Sequence, residues 1–326
     1  GLFGYGNAGF RRYAFRRGWW WAGPVFLPFL LGDIFAFALW PYDYYNPFWT
    51  LSANFALASV FAPGSYFAPG YLPYWYGGLP NIYYSAEGDE LAQANAVAMQ
   101  SCGALAPDVS TLPAQRIRQK IVRPTAEQEM ALDDLTSASS KAKEIISASC
   151  PKEIPLTPLS RLDAAEKRLE AMIQAVEIVR SPLEKFYDSL SDEQKRRLEA
   201  RGSSGGAEIG NLAMLCGPQS ENVANLPERR LEQAVQPNTQ QQGVFDELKK
   251  ASESATKDLQ ASCPAQMPQT PVARLDAIKT RLSAMVEALK TVRPKLEDFY
   301  ASLNDEQKAR FNILTPPHQA APQPEH

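Results

Sequence analysis

Catalysis needs groups that titrate, attack or coordinate, and this 326-residue chain has few of them in usable arrangements. Its two histidines, His318 and His326, both stand in a Pro-rich tail, which leaves almost nothing for a histidine base or metal cage. No phosphate loop, nucleophile-base pair or metal constellation can be read along the chain. The residue inventory points away from an enzyme, and no cofactor is expected.

Two sets of residues remain that could carry a defined interaction. The first is the four cysteines, Cys102 with Cys150 and Cys216 with Cys263, separated by 48 and 47 residues. An even count at a repeated spacing reads as two disulfides in an exported protein. Four buried reduced thiols are the rival reading, and metal binding is weaker because neither a CxxC pair nor a nearby histidine pair is present. The second set is Thr125 with Gln128, Ser191 with Gln194, Asn238 with Gln241, and Asn304 with Gln307. Each has the form Ser/Thr/Asn-x-x-Gln, in which the first side chain accepts from the third helical amide and the glutamine reaches back to the cap's own amide. In each half of the chain the two boxes lie 66 residues apart. Plain helix capping is the simpler reading of these residues, and a binding role is the alternative.

The elements that carry these residues are written twice. Arg161 to Met172 returns as Arg274 to Met285, and Phe186 to Lys195 returns as Phe299 to Lys308, both at an offset of 113. Cys150-Pro151 returns as Cys263-Pro264 at the same offset. This is a duplication. In each copy one segment has a helical apolar period: Leu162, Ala165, Leu169, Met172, Val176, Val179, Leu183, Phe186 and Leu190, matched by Leu275, Ile278, Leu282, Met285, Leu289, Val292, Leu296, Phe299 and Leu303. Charged residues stand between them, as in an amphipathic helix packed along its length. Packing in a core is the simpler role for that seam, an exposed groove for a partner the other. Pro182 and Pro294 interrupt these helices but not the apolar register, which predicts a kink rather than a break.

A second helix, from about Thr125 to Ser149 with Leu132, Leu135, Ala142 and Ile146 inward, precedes the first Cys-Pro pair. Phe245, Leu248, Ala255 and Leu259 are the counterparts in the second copy. Further short helices are expected after Pro113, Pro227, Ser191 and Asn304, and before Cys102 and Cys216. The fold class is therefore all-α: two tandem helical-hairpin or cradle units with long kinked helices, behind an irregular aromatic-rich segment. The expected domains are 1–86, a membrane- or partner-docking segment; 87–201 and 202–312, the two helical repeats; and 313–326, a disordered tail.

Leu190-Ser191-Asp192-Glu193-Gln194, with Leu303-Asn304-Asp305-Glu306-Gln307, resembles the motif of the LTXXQ family, the Spy and CpxP-like periplasmic helical proteins. The upstream boxes carry Pro124 and Pro237 where that family has leucine. The resemblance covers residues from about 87 to 312. It implies a cradle-like helical fold, a periplasmic location, and chaperone or envelope-stress roles toward unfolded client proteins.

The N-terminal segment is built differently. Of 34 aromatic residues, 28 precede Ser85, all six tryptophans among them. Arg11, Arg12, Arg16 and Arg17 precede a mostly apolar run from Trp19 to Trp40, and Tyr42, Tyr44 and Tyr45 follow it. This is the order of a positive flank, a span and an aromatic belt. Pro24, Pro28, Gly32 and Asp33 oppose a simple span, because a charge near the midplane costs about 2.5 to 3.5 kcal/mol on insertion scales. Three readings stay open: a membrane span, packing on a partner or the membrane surface, and disorder. The docking residues expected are Trp19, Trp20, Trp21, Phe26, Phe29, Phe35, Trp40 and Trp49, and the partner is a membrane or membrane protein complex held through residues 1–84. With 33 basic against 36 acidic residues, the chain lacks the basic balance of a nucleic-acid binder. The absence of an initiator Met and of a convincing cleavage site reads as a processed or truncated product whose export signal is gone. A periplasmic, membrane-associated or anchored protein is expected. A structural accessory subunit of a membrane complex, docked through the aromatic segment, is the alternative function.

Overall fold

The computed structural model of the chain describes residues 117–118, 123–149, 157–200, 226–262 and 268–312. The described residues form α-helices and no strand, in the order α1 (Ala126–Ala148), α2 (Pro158–Ser189), α3 (Asp192–Ala200), α4 (Leu226–Val235), α5 (Thr239–Ala261), α6 (Pro271–Ser302) and α7 (Asp305–Asn312). Unit 1 is the hairpin of α1 on α2 followed by α3. Unit 2 is the hairpin of α5 on α6 followed by α7, with α4 leading in and packing on α7.

The apolar periodicity sets the packing. Leu132, Leu135, Ala142 and Ile146 on α1 are fully buried, and the long helix α2 buries Leu162, Ala165, Leu169, Met172, Val176, Val179, Leu183 and Phe186. Phe245, Leu248, Ala255 and Leu259 of α5 and the equivalent seam of α6 do the same in unit 2. Each fully buried leucine or phenylalanine contributes about 1.5 to 3 kcal/mol relative to exposure. Both long helices start at a threonine followed by proline, Thr157-Pro158 and Thr270-Pro271. The Thr157 hydroxyl accepts from the Ser160 N–H at 3.1 Å and the Thr270 hydroxyl from the Ala273 N–H at 3.2 Å. Proline at the first helical position lacks only an N–H that would be unsatisfied there anyway. Pro182 and Pro294 lie inside α2 and α6, and each helix continues through its proline to the residue before a buried leucine, Leu190 or Leu303.

The charged residues within the long helices do not all face water, as the amphipathic pattern implied. Arg161, Arg168, Arg274 and Arg281 are buried, because the ends of neighbouring segments present carbonyl groups that need donors there. Arg161 reaches the Asn312 carbonyl of unit 2 at 3.4 Å, and Arg274 the Gln269 carbonyl at 2.7 Å.

The two units pack on each other through α2 and α6. Asp163 pairs with Arg293 at 2.6 Å, Glu177 with Lys279 at 2.8 Å, and Arg180 with Asp276 at 2.7 Å. Residue numbers rise on one helix as they fall on the other, so the helices run antiparallel. Asp163 and Asp276 are equivalent in the duplication, as are Arg180 and Arg293, so the contact repeats itself about a local twofold axis. Midway between those pairs lie Ala171-Met172 on α2 and Ala284-Met285 on α6. Buried apolar side chains of both units form one continuous core.

Candidate functional site

The paired Ser/Thr/Asn-x-x-Gln boxes come together in space. In unit 1 the Thr125 hydroxyl accepts from the Gln128 N–H at 3.3 Å, and the Thr125 N–H donates to Gln128 Oε1 at 2.9 Å. Ser191 and Gln194 do the same at 3.3 and 2.9 Å. Two helix starts, those of α1 and α3, are capped in this way. Each glutamine oxygen is then already committed to its own cap, and its amide protons turn outward from that cap to the other one. Gln128 Nε2 donates to Gln194 Oε1 and Gln194 Nε2 to Gln128 Oε1, both at 3.0 Å. The remaining donor capacity goes to the Ser189 carbonyl at the end of α2, 2.7 Å from Gln128, and to the Arg123 carbonyl, 3.3 Å from Gln194.

Unit 2 builds the same clamp more tightly. Asn238 and Asn304 replace the hydroxyl caps, accepting from the Gln241 and Gln307 amides at 3.0 and 2.9 Å. Gln241 and Gln307 exchange reciprocal side-chain bonds at 2.9 Å. Gln241 also donates to the Ser302 carbonyl at 2.7 Å and Gln307 to the Val235 carbonyl at 3.2 Å. Val235 ends α4, and the next residue, Gln236, takes a left-handed φ of 49°, the conformation that turns a chain out of a helix. Gln128, Gln241 and Gln307 are buried, and Gln194 is half-buried. Only glutamine performs this role: glutamate of the same length has no protons to give, and asparagine is one methylene short. Each carboxamide here uses both protons and accepts twice at oxygen, so the clamp has no capacity left for a ligand.

At the opposite end of each hairpin an arginine closes the structure. Arg168 Nη1 donates to the Ile146 carbonyl and, at 3.0 Å, to the Ser149 hydroxyl, in the last turn of α1. The Ser149 hydroxyl itself donates to the Ile146 carbonyl at 2.6 Å. Arg281 binds the Leu259 carbonyl and Ser262 hydroxyl, the latter at 2.9 Å, at the end of α5. The last carbonyls of a helix have no partner within it and carry its negative dipole end, so a guanidinium there is well matched. Burial pushes the Arg168 pKa down to about 10, which leaves it charged at neutral pH.

The reciprocal glutamine pairing and the arginine closures were not foreseen from the sequence. Two signals were available: the constant 66-residue separation of boxes that all end on glutamine, and an arginine recurring inside the apolar seam at an offset of 113. The Thr-Pro starts of α2 and α6 were a third. The four cysteines and the aromatic docking residues Trp19 to Trp49 lie outside the described residues. Among the described residues no cluster of three His, Cys, Asp or Glu could hold a metal ion, and no helix is long and apolar enough to cross a membrane. Met130 is the exposed large hydrophobic residue among them, at 63 %.

Residues 111–202 and 224–315 each match the family model described as "LTXXQ motif family protein", together more than half of the chain. No curated protein and no solved structure matches it.

Proposed function

The chain belongs to the LTXXQ motif family, and from that membership we propose that it is a non-catalytic periplasmic binding protein with a Spy/CpxP-like role as an ATP-independent chaperone or in envelope stress. The observation that carries this reading is the family's motif, present twice and closed in both halves into the same glutamine clamp. Because the clamp's hydrogen bonds are all internal, it is the rivet of the scaffold, and clients are met by the helix surfaces beyond it. The paired cysteines suit an oxidising compartment. The aromatic residues 1–84 supply the membrane association, either by insertion or by docking on a membrane protein.

A second reading has one observation in its favour. Among the described residues the apolar seams are spent on packing, and Met130 alone of the large hydrophobics is exposed. Unfolded chains are recognised through apolar contact, so described helices this polar on their surface also suit a structural accessory subunit, with the aromatic segment as its docking element. The full chain and a chain lacking residues 1–84 distinguish the two. Suppression of aggregation of a model client at near-stoichiometric ratio by both proteins supports the chaperone. No suppression by either, with co-purification of a defined membrane complex lost on removing residues 1–84, replaces it with the accessory subunit.

A further inference from the structure

The contact between α2 and α6 is symmetric in place but not in charge. Four positions on each helix line the contact, equivalent in the duplication as 163 and 276, 166 and 279, 177 and 290, and 180 and 293, and across the local twofold axis 163 faces 293, 166 faces 290, 177 faces 279 and 180 faces 276. Unit 1 carries Asp163, Glu166, Glu177 and Arg180 there, three acids and one base, net −2. Unit 2 carries Asp276, Lys279, Lys290 and Arg293, one acid and three bases, net +2. The outer two positions are unchanged between copies, and the inner two are reversed.

Each reversal meets its complement. Glu177 pairs with Lys279 at 2.8 Å. Lys290, bonded to Glu287 of its own helix at 3.1 Å, also stands in the field of Glu166 and Glu170 across the contact, and its pKa is raised. Arg293 takes both Asp163 and Glu166, at 2.6 and 2.5 Å. Its equivalent Arg180 takes Asp276 of the other unit, with Glu184 on its own helix where Arg293 has Glu297, and meets no second acid across the contact because the position corresponding to Glu166 is Lys279. By the same geometry, unit 1 against a copy of itself would set Glu166 against Glu177 twice, and unit 2 against itself would set Lys279 against Lys290 twice. Like charges placed opposite one another oppose association, and they do so selectively for the wrong pairing.

We propose that this charge difference makes the α2 face of unit 1 a surface specific for the α6 face of unit 2, so that each half accepts an unlike half and rejects a like one. The partner it fits is the other half of the same chain. If two copies exchange halves, they exchange unlike ones.

Reversals in the full chain test this. Glu166→Lys with Glu177→Lys gives unit 1 the charges of unit 2, and Lys279→Glu with Lys290→Glu gives unit 2 those of unit 1. Each double variant should raise the unfolding equilibrium constant on the order of tenfold at low salt, from two lost pairs and two new repulsions. The chain with all four changes has the wild-type pairs at these positions with their halves interchanged, while Glu170 and Glu287, whose equivalents are Ser283 and Gln174, stay in place, so its urea midpoint should recover most of the way to the wild-type value. In 1 M salt, where the screening length falls to about 3 Å, the differences should shrink. Double variants with wild-type midpoints would overturn the proposal, and so would a fourfold variant no more stable than the doubles. Recovery in the fourfold variant cannot be mistaken for a general folding effect, since it carries more substitutions than either double.

Discussion

A single carboxamide in this fold joins two helix starts, a helix end and another carboxamide, which explains why the motif ends on glutamine. Removing one member strips a donor from a buried carbonyl and leaves its partner glutamine short of a bond, a loss of about 1 to 3 kcal/mol. Gln241→Ala and Gln307→Ala should each show that loss in urea titrations, and the double variant should lose clearly less than the two added together, because the first change already breaks the shared bonds. Gln194, half-buried at the weaker clamp, should be the least costly of the three. Arg168 is a different case, since its charge is held by the Ile146 carbonyl and the Ser149 hydroxyl at the end of α1. Arg168→Met keeps the bulk of the side chain and takes the charged donor away from the Ile146 carbonyl and the Ser149 hydroxyl, with an expected loss of about 1 to 3 kcal/mol. The cysteines offer the third residue-scale prediction. Peptide mapping without reductant should find Cys102 joined to Cys150 and Cys216 to Cys263. Reducing each should lower stability by about 3 to 4 kcal/mol, as closure of loops of this length implies. Free thiols at all four positions would rule out the disulfide reading.

At the scale of elements, the helices were largely legible. The run of apolar residues at spacings of three and four in Leu162 to Leu190 marked both the extent of α2 and its buried face, and the boxes at Thr125 and Ser191 marked the starts of α1 and α3. Periodicity could not show the burial of Arg168 and Arg281. A charge inside an apolar stripe looks like a solvated residue until the end of another helix is placed against it. The same limit hid the contact between α2 and α6, whose acids and bases read as an ordinary wet face when each copy is considered alone. Comparing the copies position by position gives the missing signal, because Glu166 and Glu177 become Lys279 and Lys290. Comparison of the copies also ranks the hairpins. Phe245, Phe299 and Phe311 meet in unit 2, with ring centroids 5.0 and 6.2 Å apart, where unit 1 has Leu132, Phe186 and Leu198. Aromatic pairs add about 0.5 to 1.5 kcal/mol beyond area burial. Phe299→Ala should therefore cost about 3 to 5 kcal/mol and exceed the cost of Phe186→Ala, the equivalent truncation, in chemical denaturation.

Over the whole molecule, two hairpins of equal construction could melt one after the other or together, and the interface decides between these. Charge pairs along α2 and α6 are partly exposed, and pairs of that kind contribute only about 0.2 to 1 kcal/mol each. Ion pairs alone would leave the units nearly independent. The apolar core, however, runs without interruption from unit 1 to unit 2, and Met172 and Met285 are buried beside the local twofold axis. Losing unit 2 would expose the face of α2 that rests on α6, and Arg161 would lose the Asn312 carbonyl at the same time. Apolar surface returned to water at about 25 cal/mol per Å² quickly exceeds the contribution of the ion pairs, so unit 1 has little stability left once its neighbour unfolds. Phe299→Ala tests this coupling, since its damage is confined to unit 2. Scanning calorimetry should show one transition, moved to lower temperature as a whole, with the calorimetric enthalpy close to the van't Hoff value. Division into two peaks, one at the wild-type temperature, would mean that the units fold independently and that the contact between α2 and α6 only orients them.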